Sequence, residues 1–239
     1  MAEMAQHIVK SYEQELKQLR DMLVEMGGLL ESQLATATTA IVQGDNALAA
    51  AAVEQDPAVD ALEREVEAFV IRLLALRQPL AADLREIVAS LKISSDLERI
   101  GDYAANVAKR SIVLSQFNLS FKLGGLAHMA RLVQENLKLT VDTIGDNDAE
   151  RAIQVWRADQ PVDDIYTAIF RELITYMMED PRNITPCTHL LFVAKNLERI
   201  GDHTTNIAET VHYAVTGEQL PEGRPKGESS AYAIVRPRE

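Results

Sequence analysis

Glu98 and Asp102 stand four residues apart, and the same pair returns as Glu198 and Asp202. Each pair sits inside an identical hexapeptide, Leu-Glu-Arg-Ile-Gly-Asp, at positions 97–102 and 197–202. An asparagine follows four residues after each aspartate, at Asn106 and Asn206. On a helix such residues occupy neighbouring rungs of one face, about 6 Å apart along the axis. Each motif is therefore a ladder of oxygen donors, the ligand type that suits hard cations such as Mg²⁺, Ca²⁺ or Mn²⁺ and also holds iron. The plain alternative is a solvated acidic face, with Arg99 and Arg199 offsetting part of the charge. Like charges at i and i+4 repel by roughly a few tenths of a kcal/mol, and both copies keep them. Spacing alone leaves the two readings open.

The elements that position these residues follow from angular placement, taking about 100° per residue. Around Leu97, the residues Ile93, Ile100, Ala104, Val107 and Ala108 form one apolar stripe, while Glu98, Asp102 and Asn106 lie across from it. The second copy repeats the division, with Val193, Leu197, Ile200, Thr204 and Ile207 opposite Glu198, Asp202 and Asn206. On the preceding helical segment, Val59, Leu62, Val66, Phe69 and Leu73 make the apolar side, and Asp56, Asp60, Glu63 and Glu67 share a polar face. The other copy keeps Asp159 and Asp163 but has Tyr166 and Phe170 in place of the two glutamates. If these faces hold metal, the candidate ligands are Glu98, Asp102, Glu198 and Asp202, with Asn106, Asn206, Asp60 and Asp163 as extensions on the same faces. Pro57, whose counterpart is Gln160, makes Asp60 the weaker of these.

The repeated hexapeptide is one of three landmarks that recur in order. Asp56-Pro57-Ala58-Val59-Asp60 parallels Asp159-Gln160-Pro161-Val162-Asp163, and Gly44-Asp45-Asn46 parallels Gly145-Asp146-Asn147, at offsets of 100 to 103 residues. The chain reads as an internal duplication, all-α, made of two tandem three-helix bundles over 1–118 and 119–217. Helical periodicity runs from about Ile8 to Val42, then from Asn46 to about Leu76, then from about Leu80 to Gln116. Within the second of these, Asp56 is expected to cap a helix that starts with Pro57. The second unit repeats the plan at roughly Leu126–Ile144, Asp148–Glu179 and Pro186–Thr216, and Asp180-Pro181-Arg182 makes a turn. Pro and Gly accumulate beyond Gly217, so 218–239 is expected to be a disordered tail, with Tyr232–Val235 as a segment able to dock.

Composition narrows the function classes. With 24 Lys and Arg against 36 Asp and Glu, the formal charge is −12 over 239 residues. That balance excludes nucleic-acid binding driven by counterion release. Aromatics are only 5%, so Ala, Leu, Val and Ile must build the core, as in closely packed long helices. The single cysteine, Cys187, rules out an internal disulfide or a thiolate zinc site. Its place after Pro186 at a helix start is one that lowers a thiol pKa, but no His–Asp arrangement supports catalysis. No signal peptide is expected from Met1–Lys10, and no apolar run reaches the roughly 18 residues of a membrane span. A P-loop, a dinucleotide turn and a plausible triad are all absent. Gly27-Gly28 reads as a close helix contact, and Trp156 and Met177-Met178 read as core. His7, His128, His189 and His203 read as ordinary.

The paired motifs, with Met26-Gly27-Gly28, Arg77-Gln78-Pro79 before Asp83-Leu84-Arg85, and Tyr176-Met177-Met178-Glu179-Asp180-Pro181-Arg182, resemble the PhoU family of phosphate-signalling regulators. The resemblance covers about Leu16 to Thr216. It implies two three-helix bundles with pseudo-twofold symmetry and surface metal clusters of iron, Mg, Mn or Ca on the Glu/Asp-x-x-x-Asp motifs. It further implies a non-enzymatic negative regulator of the phosphate-starvation response and of phosphate uptake. The partners implied are the ATPase subunit of a phosphate ABC transporter and a phosphate-sensing histidine kinase. A cytoplasmic homodimer is expected, held at the inner membrane by protein partners rather than by insertion. Two competing readings stand beside it. One is a ferritin-like carboxylate-bridged metal enzyme or store, for which Glu209-Thr210-Val211-His212 is the one Glu-x-x-His match. The other is a metal-free helical interaction module.

Overall fold

The computed structural model describes residues 2–117 and 124–221, with side chains described from residue 12 onward. The expected boundary between 118 and 119 and most of the expected tail, including Tyr232–Val235, lie outside the described residues. Among the described residues there are eight α-helices and one 3₁₀ turn, and no strand. The first unit holds α1 (Ala2–Gln43), α2 (Asn46–Glu54), α3 (Asp56–Leu76) and α4 (Ala81–Leu114). The second holds α5 (Gly124–Asp146), α6 (Ala149–Arg157), α7 (Gln160–Glu179), the 3₁₀ turn Pro181–Asn183 and α8 (Ile184–Thr216). Consecutive α2 and α3 both lie against α1 and α4, as α6 and α7 lie against α5 and α8. Each unit is thus a three-rod bundle whose third rod is broken.

The breaks have local causes. Asp45 Oδ1 accepts from the amides of Ala47 at 2.8 Å and Leu48 at 3.1 Å, which caps α2. Asp148 Oδ1 caps α6 in the same way, from Glu150 at 2.9 Å and Arg151 at 3.0 Å. The residue before each cap is left-handed, Gly44 at φ 68° and Asn147 at φ 52°, and Asn is the non-glycine residue that adopts this region most readily. Gly44-Asp45 therefore corresponds to Asn147-Asp148, not to Gly145-Asp146 as the residue names suggested. The break expected within Asn46–Leu76 recurs within Asp148–Glu179, where the chain turns at Ala158-Asp159 ahead of Pro161. One further expectation is corrected. Asp56 does not cap α3; Gln55 is the cap residue without a side-chain bond, and the Asp56 carboxylate turns inward to the amide of Gln33 at 3.3 Å.

The most extensive helix contact is between α4 and α8. Three side-chain contacts show that they run antiparallel. Asp96 Oδ1 lies 2.7 Å from His203 Nδ1, Arg110 lies 3.3 Å from His189 Nδ1, and Arg85 Nε donates to Ala214 O at 3.5 Å. The pseudo-twofold axis crosses between the two hexapeptides, beside Arg99 and Arg199. There the Tyr103 and His203 rings sit 5.6 Å apart, and Arg199 lies 5.5 Å from the Tyr103 ring centre. Arg85 also supports the carbonyl end of α8, where Gly217 closes the helix at φ 76°. His203 is consequently an interface residue rather than an ordinary surface histidine. The landmark Arg77 ties the end of α3 to α1 through Glu15 Oε2 at 2.9 Å.

Trp156 is half-buried and donates through Nε1 to Glu209 at 3.0 Å, and Met178 is 81% exposed, so neither is the core residue expected. Met177 does pack on the core. Of the glycine pair, Gly27 is the close contact between α1 and α5: a methyl placed there would meet Val141 Cγ2 at 2.5 Å. A methyl on Gly28 would meet open space. Gly28→Ala is expected to stabilise by about 0.5–1 kcal/mol through helix propensity. Gly27→Ala must instead displace a stiff β-branched side chain, an overpacking cost of about 1–3 kcal/mol that outweighs the same gain. Thermal unfolding should rank Gly28→Ala above wild type and Gly27→Ala below it; the reverse order would contradict this packing.

Candidate metal centre

The apolar stripes anticipated for α4 and α8 are buried as expected: Leu97, Ile100, Ala104, Leu197, Ile200 and Ile207 are each no more than 1% exposed. Helical geometry then forces Glu98 and Asp102, like Glu198 and Asp202, onto the side facing away from that stripe. Asp102, Asn106 and Asn206 are exposed; Glu98, Glu198, Asp202, Asp60 and Asp163 are half-buried. The half-burial comes from α3 and α7, which flank the ladders.

The glycine of each hexapeptide sets how near those flanking helices come. A methyl on Gly201 would lie 2.9 Å from Asp159 Oδ1, closer than such contacts are tolerated. A methyl on Gly101 would lie 3.5 Å from both Asp56 Oδ1 and Gln33 Oε1, and 3.2 Å from Leu30 Cδ2. At Gly201 the missing side chain lets Asp159, just ahead of α7, reach the ladder helix; at Gly101 the tight neighbour is Leu30, and Asp56 lies at ordinary contact distance. Asp159 is 5% exposed.

A residue of α1 completes the first site. Gln33 is fully buried, and its Nε2 donates to Ala52 O at 3.1 Å and Asp56 Oδ1 at 3.3 Å. Both partners are acceptors, which fixes the amide with Oε1 turned toward Gly101. That oxygen is buried and has no hydrogen-bond partner, an arrangement that costs about 1–3 kcal/mol unless something satisfies it. Asn136 on α5 is the counterpart and donates to Ala158 O at 3.2 Å. Neither amide stood out in the sequence. The one signal was a polar residue inside the apolar stripe of a long helix, at matching places in the two units.

Electrostatics join these residues into one group. Burial first, then Asp102, Glu63 and Asp60, push the Glu98 carboxyl up, with Arg99 opposing. Asp56 is raised by burial, against its hydrogen bond from Gln33, and again by Asp102 and Asp60; Lys109 opposes from a distance. Burial, Glu67 and Asp60 raise Glu63, against Arg64. Glu198 is raised by burial, lowered by Lys195, and raised by Asp202 and Asp163. Asn106 and Asn206 make no side-chain hydrogen bond among the described residues. The donor set is all oxygen, chiefly carboxylate, with one unsatisfied amide oxygen at its buried end. That composition fits a hard cation or iron. Among the described residues no three His, Cys, Asp or Glu side chains converge in ligating geometry. The carboxylates share a face without meeting at a point, so ligation would require Glu98 and Asp102 to change rotamer.

The other chemical candidates are disposed differently. Cys187 is fully buried, and burial pushes its thiol up rather than down, opposite to the effect of a helix start. Glu209 is exposed and bonded to Trp156, and His212 Nδ1 lies 3.0 Å from Glu218 O. Neither faces a bundle core, as a ferritin-like site requires.

Comparison with known proteins agrees with this architecture. The PhoU domain model matches twice, over residues 23–111 and 126–211. The phosphate-specific transport system accessory protein PhoU homolog of Caulobacter vibrioides is 52% identical over 224 residues, which are 93% of this chain and 97% of that protein. The homolog of the same description from Rhizobium meliloti is 48% identical over 226 residues, 94% and 95% of the two chains. The crystal structure of PhoU from Pseudomonas aeruginosa superimposes with a TM-score of 0.83 at 40% identity, covering 87% of this chain and 100% of that one. The phosphate transport system regulatory protein PhoU from Streptococcus pneumoniae gives 0.82 at 30% identity, covering 88% and 99%. Duplicated hexapeptide, paired broken-rod bundles and full-length likeness together place this chain in the PhoU family.

Proposed function

We propose that this protein is the accessory regulator of a phosphate transport system and represses the phosphate-starvation response when phosphate is plentiful. It acts as a non-catalytic adaptor between the ATPase subunit of the transporter and a sensor histidine kinase, and its two acidic faces hold divalent or trivalent metal ions. The observation that carries this reading is the gathering of carboxylates from the flanking segments beside both Leu-Glu-Arg-Ile-Gly-Asp motifs, in a chain whose relatives are named as phosphate transport accessory proteins. No helix among the described residues is long and apolar enough to cross a membrane. With a formal charge of −12 the chain gains nothing from anionic headgroups. Recruitment to the membrane surface therefore runs through protein partners, with the chain as a homodimer.

The residues divide the work of cation binding. Glu98, Asp102, Asp60 and Glu63 supply charge at the open side of the first site, and Asp56 and Gln33 supply oxygens at its buried side. Glu198, Asp202, Asp163 and Asp159 do so in the second. A bound cation would offset the mutual repulsion that raises Glu98, Asp56 and Glu63. Deleting the gene in its host should make alkaline phosphatase constitutive in high phosphate, and the wild-type gene should restore repression. Unaltered phosphatase in the deletion strain would contradict the regulatory role. Full restoration by the Glu98→Ala/Asp102→Ala/Glu198→Ala/Asp202→Ala variant would separate the acidic faces from that role.

Without a cation the first site should oppose folding at neutral pH. Raised carboxyls favour the protonated folded state, so their contribution is most favourable below the ordinary glutamate value of 4.5 and is lost as pH rises through the raised values. In chelator-treated protein, Glu98→Gln should raise the melting temperature at pH 7, and the gain should shrink as pH approaches 4.5. A gain that does not change with pH would contradict the electrostatic origin.

A further inference from the structure

The two acidic sites differ at one corner. In the second, Lys195 Nζ donates to Glu198 Oε1 at 2.7 Å and lies 2.6 Å from Oε2, an oxygen that is buried and accepts no hydrogen bond. The same ammonium sits 5.3 Å from the centre of the Tyr166 ring, on α7. The Glu198 side chain is 14% exposed and the Lys195 side chain 38%, so water screens the pair only in part. In the first unit the corresponding residues are Ser95 and Glu63. Where the first site has a hydroxyl and a carboxylate, the second has an ammonium and an aromatic face for it to lie on. The exchange is paired: a lysine beside Glu198 gains a cation–π contact only because the facing residue is Tyr166. In the first site the cations that act on Glu98 and Asp56 are Arg99 and Lys109, each only through its charge, and neither makes an ion pair among the described residues.

We infer that Lys195 is a resident counter-cation of the second site, so that the two sites bind metal unequally and in order, the first unit before the second. This rests on the reading of the acidic faces as metal sites and goes beyond it by assigning the inequality to one side chain. A metal ion reaching Glu198 must displace the ammonium paired with its carboxylate. At the first site it meets Glu98 already in excess of negative charge, together with Glu63 and the unsatisfied Oε1 of Gln33. Displacing a part-buried ion pair loses Coulomb energy that an open carboxylate never had. Lys195 thus makes the second site a sensor of higher cation concentration than the first.

The test is a Mn²⁺ titration of the chelator-stripped, full-length protein, with free Mn²⁺ followed by electron paramagnetic resonance. Wild type should show two affinity classes separated by roughly tenfold or more, the order of effect expected when a part-buried pair must be broken. The tight class should vanish in Glu98→Ala/Asp102→Ala, and the weak class in Glu198→Ala/Asp202→Ala. Lys195→Met should strengthen the weak class without moving the tight one. Ser95→Lys, which sets an ammonium beside Glu98, should weaken the tight class and keeps the test decisive if Lys195→Met fails the circular dichroism check of folding. Equal affinities in wild type, or a weak class unmoved by Lys195→Met, would overturn the role of Lys195 while leaving the metal reading intact. No Mn²⁺ retained by wild type would overturn the metal reading and this inference with it.

Discussion

The close approach of the flanking segments to Gly101 and Gly201 is the constraint on which the sites depend, and it is tightest at Gly201. A single methyl at Gly201 would sit 2.9 Å from the Asp159 carboxylate. With hydrogen there, Asp159 sits against the second ladder helix, as Asp56 sits against the first, and acidic groups gather beside both. Gln33 and Asn136 fix the same junction from the other side, each donating to a carbonyl where the third rod breaks. The break serves the site, because a continuous rod would carry its carbonyls into its own helix and leave those amides without partners.

Much of this was legible in one sequence, for a simple reason. Helical periodicity is a local property, so the stripe through Leu97 and Ile100 fixes which way Glu98 and Asp102 must face, and the duplication repeats the evidence. The angular map also placed Asp60 and Asp163 correctly, and it grouped Asp56 with them. What it missed depends on contacts between distant segments. Gln33 looks like any polar residue in a long helix until Asp56 and Gly101 are brought beside it. His203 lies rotated off its own ladder, and that rotation aims it across the pseudo-twofold axis at Asp96, 107 positions away. The correspondence of Gly44 with Asn147 was hidden because two different residue types satisfy one backbone requirement, a positive φ before a capping aspartate.

Symmetry here is structural rather than chemical. The antiparallel packing of α4 on α8 gives the two units the same frame, and each motif the same exposure to a flanking helix. Yet Tyr103 faces His203 across the axis, and Asp96 has Asn196 as its counterpart. The two units share the hexapeptide but differ beside it, where Lys195, Tyr166 and Phe170 stand in place of Ser95, Glu63 and Glu67.

We propose that a cation offsets the repulsion among the carboxylates of the first acidic face. The most direct test is the melting temperature of chelator-treated protein with and without added Mn²⁺ at constant ionic strength. A ligand held by the folded state alone stabilises by about 2.7 kcal/mol at a hundred times its dissociation constant. For a chain of this size that corresponds to a rise of roughly 5–10 °C. The account predicts such a rise in wild type and a smaller one when Glu98 and Asp102 are both replaced by alanine. A melting temperature that Mn²⁺ leaves unchanged, or raises equally in both proteins, would contradict it.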